Sequence, residues 1–264
     1  MRAISTSLRH QLLHHHRHNL RLLSTSFTPT YSDAVQHSLG KPNLFAYFTG
    51  LANEHEAVNL GQGFPTYGTP QFVLDNVTKA VSNPPFNQYT RPGGHPVLVD
   101  QLASHYSSHF HRPLDPLTNL CTFSGAQFGL FDCIVSYLNE GDEMCTIEPF
   151  FGPYKQAADV VGATTVGVPL RPKNNASPTM TADDFVLDLE ELKSVLTSKT
   201  KLLILNTPHN PTGKVFSTEE LQGIADVVRK FPNLIVISDE VYEYSTFQPK
   251  KHERFANMDD MWDR

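Results

Sequence analysis

The chain has 264 residues, of which 39% are hydrophobic, 18% charged and 10% aromatic. This composition is typical of a globular protein and excludes a disordered, collagen-like or fibrous chain. A formal net charge of −6 argues against a protein that binds nucleic acid by neutralising phosphates. The apolar runs are also too short for a membrane span. The length suits one or two domains with a buried core.

The N-terminal segment differs in charge from the rest of the chain. Residues 1–32 contain four arginines and five histidines but no acidic residue, and on a helical wheel the apolar side chains lie mostly opposite the arginines. An amphipathic segment of this kind is typical of a mitochondrial presequence. We therefore predict a presequence over residues 1–27 and a location in the mitochondrial matrix. The alternative is a disordered basic tail on a cytoplasmic protein.

Alternating strands and helices follow in chain order. Periodicity and turn residues predict helices over residues 44–55, 70–81, 96–110, 125–138, 150–161 and 187–196, and one that begins at Ser217 with a capping box to Glu220. Strands are predicted over residues 120–123, 143–147, 164–168, 201–205 and 234–238. A polar loop is predicted around residues 174–178. The alternation indicates an α/β fold with βαβ units and a mostly parallel sheet covered on both faces.

The three cysteines, Cys121, Cys133 and Cys145, form no CxxC pair. They therefore predict neither a disulfide framework nor a zinc site. All three lie in apolar surroundings, so we expect buried thiols without a chemical role. The histidine cluster of the N-terminal segment is poor evidence for a metal site, because that segment is expected to be removed. No metal site is predicted.

Ligands of parallel α/β sheets bind at the carboxyl ends of the strands, and two loops there carry unusual chemistry. Asn210 precedes Pro211, which holds the backbone extended and presents the amide side chain at one angle. Asp239 directly follows a buried strand, where a carboxylate requires a cationic partner or strong hydrogen-bond donors. A protonated heterocyclic nitrogen would be such a partner. Tyr242 can turn its hydroxyl toward the same ligand.

Two further loops after strands carry weaker signals. Residues 124–127 open a helix with small side chains, which suits the binding of a phosphate at a helix N-terminus, although an ordinary helix cap fits as well. Phe150 and Phe151 follow the strand at 143–147. One of these rings could stack on a flat ligand, but packing in the core is the alternative.

Together these loops resemble those of class I/II aminotransferases of fold type I, which depend on pyridoxal 5'-phosphate (PLP). The most specific segments are residues 210–213 (Asn-Pro-Thr-Gly) and 239–242 (Asp-Glu-Val-Tyr). The segments at 59–65, 87–90, 147–151 and 205–216 are similar to the kynurenine aminotransferase branch, also known as cysteine-S-conjugate β-lyase or glutamine transaminase K. The resemblance runs from about residue 44 to residue 264. It implies a three-layer large domain with a mostly parallel sheet.

The resemblance also implies roles for the residues at the strand ends. Asp239 would pair with the pyridinium nitrogen of PLP, so that the ring acts as an electron sink. Asn210 and Tyr242 would hydrogen-bond the phenolic oxygen of the ring, and Phe151 would stack on its face. His209 is expected to support this loop.

Other positions are expected to serve the phosphate and the substrate. Backbone N–H groups of Gly125, Ala126 and Gln127 would bind the phosphate, although the side chain of Gln127 departs from the hydroxyl residues common in the branch. Tyr89 would reach the phosphate of a neighbouring subunit, which implies a homodimer. Gly63 would lie against the carboxylate of the substrate.

The resemblance places the Schiff-base lysine of the family beyond Arg264, so no catalytic residue is assigned and Lys214 is not taken as a substitute. We expect three parts: the presequence at 1–27, an N-terminal arm and small-domain segment at 28–70, and a partial PLP-binding large domain at 71–264, without the C-terminal small domain.

The predicted function is PLP-dependent transfer of an amino group from kynurenine, glutamine, or an aromatic or sulfur amino acid to a 2-oxo acid. Cysteine-S-conjugate β-lyase activity could accompany it. The alternative is an inactive truncated product, or a dimerisation partner that keeps a partial PLP site. Neither nucleic acid nor a membrane is an expected partner.

Overall fold

The computed structural model describes residues 30, 32, 44–63, 65–173 and 179–264. The chain divides into two compact units, residues 1–41 and 42–264. Thr30 and Ser32 are the described residues of the first unit, and all elements below belong to the second. The predicted presequence at 1–27 and the predicted polar loop at 174–178 lie outside the described residues.

The second unit contains seven α-helices and five strands in its described part. The helices are α1 (Leu44–Glu54), α2 (Gln71–Val81), α3 (Pro96–His109), α4 (Ala126–Tyr137), α5 (Pro153–Val160), α6 (Leu189–Val195) and α7 (Thr218–Val228). The strands are β1 (Glu143–Glu148), β2 (Thr164–Pro172), β3 (Phe185–Leu187), β4 (Thr200–Asn206) and β5 (Ile235–Asp239). Short 3₁₀ turns lie at Pro84–Asn87, Ala182–Asp184, Phe255–Asn257 and Met261–Asp263. In the described part, no helix has both the length and the apolarity needed to span a membrane.

The strands form one sheet in the order β3-β2-β1-β4-β5. The pairs β2–β1, β1–β4 and β4–β5 are parallel, and β3 pairs antiparallel with β2. The prediction of a mostly parallel sheet is confirmed, whereas β3 was not predicted. In the register of β4 and β5, Asn206 lies opposite Asp239, so the ends of these two strands meet at the same edge of the sheet.

Both faces of the sheet are buried, as the apolar strands predict. On β4, Leu203 and Leu205 pack in one core cluster with residues of α6 and α7. The alternate residues Leu202 and Ile204 pack in a second cluster with residues of α4 and α5. Side chains of a strand point to opposite faces in turn, so the helices cover the sheet as two outer layers. This is the predicted three-layer arrangement.

Several predicted boundaries differ from the structure for local reasons. Residues 120–123 were predicted as a strand, but they form none. The N–H of Thr122 donates to the carbonyl of Gly93, and the segment pairs with no strand in the described part. Helix α5 begins at Pro153 rather than at residue 150, since proline is favoured in the first turn of a helix.

The helix starts also show where the sequence signals were right or wrong. The capping box of α7 is confirmed, because Ser217 and Glu220 satisfy each other's backbone N–H groups. Helix α6 begins two residues later than predicted, since the side chain of Asp188 accepts from the N–H groups of Glu190 and Glu191. Pro70 is the N-cap of α2 rather than its first residue.

The expectation of three buried thiols is correct for Cys145 alone. Cys145 is buried, and this burial raises its pKa to about 12. Cys133 is half-buried with a pKa raised by burial, and Cys121 is exposed. The cysteines are free, in agreement with the lack of a CxxC pair.

Candidate active site

The ends of β4 and β5 are tied together by Asn206. Its side-chain amide donates to the backbone carbonyl of Asp239 at 2.9 Å, and its side-chain oxygen accepts from the N–H of Asn210 at 2.6 Å. The N–H of Thr207 also donates to the Asp239 carbonyl at 3.1 Å. One buried side chain therefore fixes the loop after β4 relative to the end of β5. Sequence reasoning gave Asn206 no role, although it is a polar residue at the end of a buried strand.

The side chains of Asn210 and Tyr242 lie close together. The amide nitrogen of Asn210 lies 3.5 Å from the hydroxyl of Tyr242, and both side chains are open to solvent. The two groups can thus face one oxygen atom of a ligand. Next to Asn210 in the chain, His209 is buried, and its Nδ1 lies 2.9 Å from Thr212 Oγ1. The backbone N–H of His209 donates to the carbonyl of Lys214 at 2.8 Å. Burial lowers the pKa of His209, although a hydrogen bond to the backbone of Ile147 acts in the opposite direction. The neutral ring stabilises the loop.

Asp239 is a buried carboxylate, 8% exposed, with neutral donors. Its Oδ2 accepts from the hydroxyl of Tyr154 at 2.5 Å, and its Oδ1 accepts from the N–H of Val241 at 3.2 Å. Among the described residues no Lys, Arg or His forms a salt bridge with it. A buried charge without a counter-charge is costly, so this carboxylate suits a cationic ligand group.

Tyr154 is a residue of this cluster that sequence reasoning did not single out. It lies in the first turn of α5 and is 2% exposed. Burial and the nearby charge of Asp239 both raise its pKa, so the phenol keeps its proton and donates a hydrogen bond. The available signal was an aromatic residue three positions after Phe151, which is the spacing of one helical turn.

Phe151 and Asp239 both contact Tyr154. The ring of Phe151 is half-buried and meets the ring of Tyr154 edge-on, with centroids 5.6 Å apart and planes at 78°. One side of Phe151 packs against the core cluster that includes Tyr154. The structure therefore places this aromatic ring in the same neighbourhood as the carboxylate, while part of the ring stays accessible.

The start of α4 provides the candidate phosphate site. Gly125 is its N-cap with φ +105°, a conformation that favours glycine. The N–H groups of Phe128 and Gly129 donate to the carbonyl of Gly125. Those of Ala126 and Gln127 lie at the free end of the helix, where anions bind. Gln127 also lines, with Tyr154, a cavity of about 230 Å³ between α4 and α5.

Two predicted residues are not brought to this cluster within one chain. Gly63 lies in an exposed loop after α1. The side chain of Tyr89 is fully exposed just after the 3₁₀ turn Pro84–Asn87. The role predicted for Tyr89 is at a neighbouring subunit, so both roles stay predictions.

A cavity of about 480 Å³ opens beside Asn210 and Tyr242. Pro208, Pro211 and Gly213 of the loop after β4, together with residues 181–183 and 245–247, line its walls. At its edge, Lys250 and Asp183 form an exposed ion pair of 2.8 Å. A cavity of this volume is in the range of small-molecule sites.

Lys214 is engaged away from this cavity. Its side chain is 3% exposed, Nζ lies 2.6 Å from Oε1 of Glu220, and the ammonium sits 5.0 Å from the centroid of the Phe216 ring. Lys214 is not among the residues that line the cavity, although both of its sequence neighbours are. Lys214 thus contacts Glu220 and Phe216, and the expectation that it does not replace the lysine of the family stays a prediction.

Behind the site, a buried ionic cluster holds the turn 239–243. The guanidinium of Arg254 donates to the carboxylates of both Glu240 and Glu243. The hydroxyl of Tyr106 donates to Glu243 at 2.6 Å, and His252 lies 2.9 Å from Glu240. Burial opposes ionisation of Glu243, but the hydrogen bonds from Tyr106 and Arg254 hold its pKa below the usual value. The turn that carries Asp239 and Tyr242 is thereby anchored to α3 and to residues 252–254.

The donor set fits a phosphorylated pyridine cofactor. A buried carboxylate with spare acceptor positions suits a protonated ring nitrogen, an amide and a phenol close together suit a phenolate oxygen, and a glycine-capped helix start suits a phosphate. Of these groups, the uncompensated carboxylate of Asp239 is the most selective, because it requires a cation.

The chain belongs to the family of class I and II aminotransferases, whose match spans residues 55–262. These enzymes depend on PLP, and the sheet described above is that of their fold type I large domain. The chain is similar to kynurenine–oxoglutarate transaminase of Dictyostelium discoideum, at 44% identity over 90% of this chain and 56% of that protein.

Two other matches agree with this family. Human kynurenine–oxoglutarate transaminase 3 is 42% identical over 84% of this chain and 49% of that protein. N-Succinyldiaminopimelate aminotransferase of Mycobacterium tuberculosis has a similar structure, with a TM-score of 0.78 and 34% identity over 88% of this chain and 57% of that chain. The chain thus spans about half the length of the curated relatives that it matches.

Proposed function

We propose that this chain provides the cofactor-binding part of an aminotransferase that moves an amino group from an amino acid to a 2-oxo acid. The observation that carries the proposal is the buried carboxylate of Asp239, which has two neutral donors and no cationic partner among the described residues. The bound cofactor supplies an electron-withdrawing ring that stabilises negative charge at the substrate Cα.

The residues of this chain would divide the work around that cofactor. Asp239 holds the proton at the ring nitrogen, while Asn210 and Tyr242 orient the phenolic oxygen. Phe151 covers one face of the ring and excludes water from it. The free N–H groups at the start of α4 bind the phosphate, which fixes the position of the ring relative to Asp239.

The proposed amino donors are kynurenine, glutamine, and aromatic or sulfur amino acids, with cysteine-S-conjugate β-lyase activity as an extension of the same chemistry. The names of the relatives at 42–44% identity support kynurenine and 2-oxoglutarate as the first pair to test. Gly63 is proposed to lie against the substrate carboxylate. Tyr89 is proposed to act across a homodimer, which the full exposure of its side chain supports.

A second candidate is a partner subunit that binds PLP without transferring amino groups. Two ion pairs favour this candidate, because they hold the lysines that lie near the loop and the cavity. Lys214 pairs with Glu220, and Lys250 pairs with Asp183. Amino transfer from kynurenine, glutamine, methionine and phenylalanine to 2-oxo acids separates the two candidates. In a chain completed with the Schiff-base lysine of the family, binding of PLP without transfer would support the partner subunit.

The cofactor site itself is tested by Asp239→Ala. We expect the variant to lose most of its PLP affinity and any amino transfer, since a cationic ring nitrogen would lose its counter-charge. Asp100→Ala is the matched control, because Asp100 is an exposed carboxylate on α3. Unchanged affinity and rate in Asp239→Ala would refute the assignment of the ring-nitrogen partner.

The location of the protein is a separate proposal. The acid-free, arginine-containing segment at 1–27 supports import into mitochondria. Deletion of these residues should leave a C-terminally labelled protein in the cytosol. If the intact chain is already cytosolic, the presequence assignment is wrong.

A further inference from the structure

Tyr154 combines a buried ring with a polar contact at the site. Its ring packs in the core cluster with Ile134, Met144 and Ile204, and its hydroxyl reaches Oδ2 of Asp239 at 2.5 Å. The two residues are 85 positions apart in sequence. The contact therefore links the first turn of α5 directly to the end of β5.

The hydrogen bonds of Asp239 leave acceptor positions free for a further partner. An ionised carboxylate has about four acceptor positions. The described donors occupy one on each oxygen, from Tyr154 and from Val241. Both donors are neutral, so neither adds positive charge beside the carboxylate. The carboxylate is thus oriented while its remaining acceptor positions stay available.

We infer that Tyr154 is a positioning residue that orients the Asp239 carboxylate for the protonated ring nitrogen of the cofactor. This inference rests on the proposed function, since it concerns the same site. Tyr154 touches Asp239 rather than the reacting atoms, so it acts through that carboxylate. Without its hydroxyl, the carboxylate would gain rotational freedom and lose one of its two donors.

A purely structural role for Tyr154 predicts a different behaviour. Tyr154→Phe keeps the ring in its core cluster and removes only the hydroxyl, so packing changes little. The distinguishing measurement is binding of pyridoxamine 5'-phosphate to the whole chain, followed by fluorescence and absorbance. This probe has no aldehyde, so it cannot react with lysines. A matched analogue that carries carbon in place of the ring nitrogen reports on binding without the Asp239 interaction.

We expect Tyr154→Phe to weaken pyridoxamine 5'-phosphate binding about tenfold, the effect of one hydrogen bond to a charged group. The absorbance of the bound probe should also shift toward its unprotonated ring form. Affinity for the analogue without ring nitrogen should change by less than about twofold. Tyr137→Phe is the control, since Tyr137 is an exposed tyrosine of α4, and it should bind both probes like the unaltered chain.

The outcomes separate this inference from the proposed function. If the unaltered chain binds neither probe, the proposed cofactor site is wrong and the inference falls with it. Suppose that the unaltered chain binds pyridoxamine 5'-phosphate. If Tyr154→Phe then binds each probe as tightly as the unaltered chain, or loses affinity for both probes by the same factor, only the role of Tyr154 is refuted.

A second measurement covers the case in which Tyr154→Phe does not fold. In the unaltered chain, the ¹³C resonance of the Tyr154 ζ carbon reports on its hydrogen bond to Asp239. Pyridoxamine 5'-phosphate should shift this resonance, whereas the analogue without ring nitrogen should leave it in place. The same response to both probes would overturn the inference.

Discussion

Removal of the buried cation at Arg254 gives the most direct test of how the site is held. The Arg254 side chain is 8% exposed and donates to Glu240 and Glu243, which are 13% and 12% exposed. Arg254→Met keeps much of the apolar stem but leaves two buried carboxylates without their shared cation. Removal of one partner of a buried pair costs about 3–5 kcal/mol, and we expect a loss of that order in the free energy of unfolding.

Two features of the cluster set where in this range the loss should fall. Tyr106 still donates to Glu243 and His252 still contacts Glu240, so each carboxylate keeps a hydrogen-bond partner, which reduces the loss. The guanidinium carbon also lies 5.4 Å from the Tyr106 ring centroid, and that cation–π contact is lost. The first effect lowers the loss and the second raises it, so we expect the middle of the range, about 4 kcal/mol.

Urea denaturation followed by circular dichroism measures this loss. Arg171→Met is the matched control, because its pair with Glu191 at 2.8 Å is largely exposed, at 57% and 29%. Exposed pairs contribute about 0–1 kcal/mol, so the control should unfold at nearly the original urea concentration. If Arg254→Met loses no more than the control, the cluster does not anchor the turn 239–243 and the reasoning is wrong.

Two further predictions concern pH and backbone strain. Burial lowers the pKa of His209 below 6.5, so just below that pH the unfolded chain binds more protons and stability falls as pH decreases. The free energy of unfolding should therefore depend less on pH in His209→Gln than in His55→Gln, which alters an exposed histidine. Equal pH dependence in the two variants would exclude His209 as the cause. Gly125→Ala should lower the free energy of unfolding by about 1–3 kcal/mol, measured by heat or urea. The cause is the backbone conformation at φ +105° and not a steric clash, since a Cβ would meet no atom within 4 Å. Gly152→Ala, with φ −48° and equally open space, should cost almost nothing, and a similar loss in both would refute strain as the cause.

The features that could be predicted from sequence are those set by local pattern. Apolar strands separated by helices define a parallel sheet, and parallel strands bring their carboxyl ends to one edge. Asn210, Asp239 and Tyr242 could therefore be placed near one another before any coordinates. Ser217 and Glu220 could be predicted for the same reason, because a capping box depends on residues only three positions apart.

The features that were missed depend on contacts between distant parts of the chain. Tyr154 meets Asp239 across 85 positions, and Tyr106 meets Glu243 across 137. No local pattern indicates which buried aromatic residue finds which carboxylate. Strand β3 has only three residues and an antiparallel partner, and only its last residue, Leu187, fell within a predicted element, the following helix. The segment 120–123 has an apolar pattern typical of a strand, but a strand also requires a neighbour to pair with.

The consecutive carboxylates of Asp239 and Glu240 have different partners in the fold. Glu240 is compensated within the chain, because Arg254 and His252 both contact its Oε2. Asp239 is more deeply buried than Glu240 when the exposure of the whole residue is compared. It nevertheless accepts hydrogen bonds only from a phenol and a backbone N–H. If stability alone had shaped this turn, the carboxylate of Asp239 would also have a cation or be replaced by an apolar side chain. The unequal treatment of two neighbours argues that the charge on Asp239 is kept for a cationic group that the chain itself does not supply.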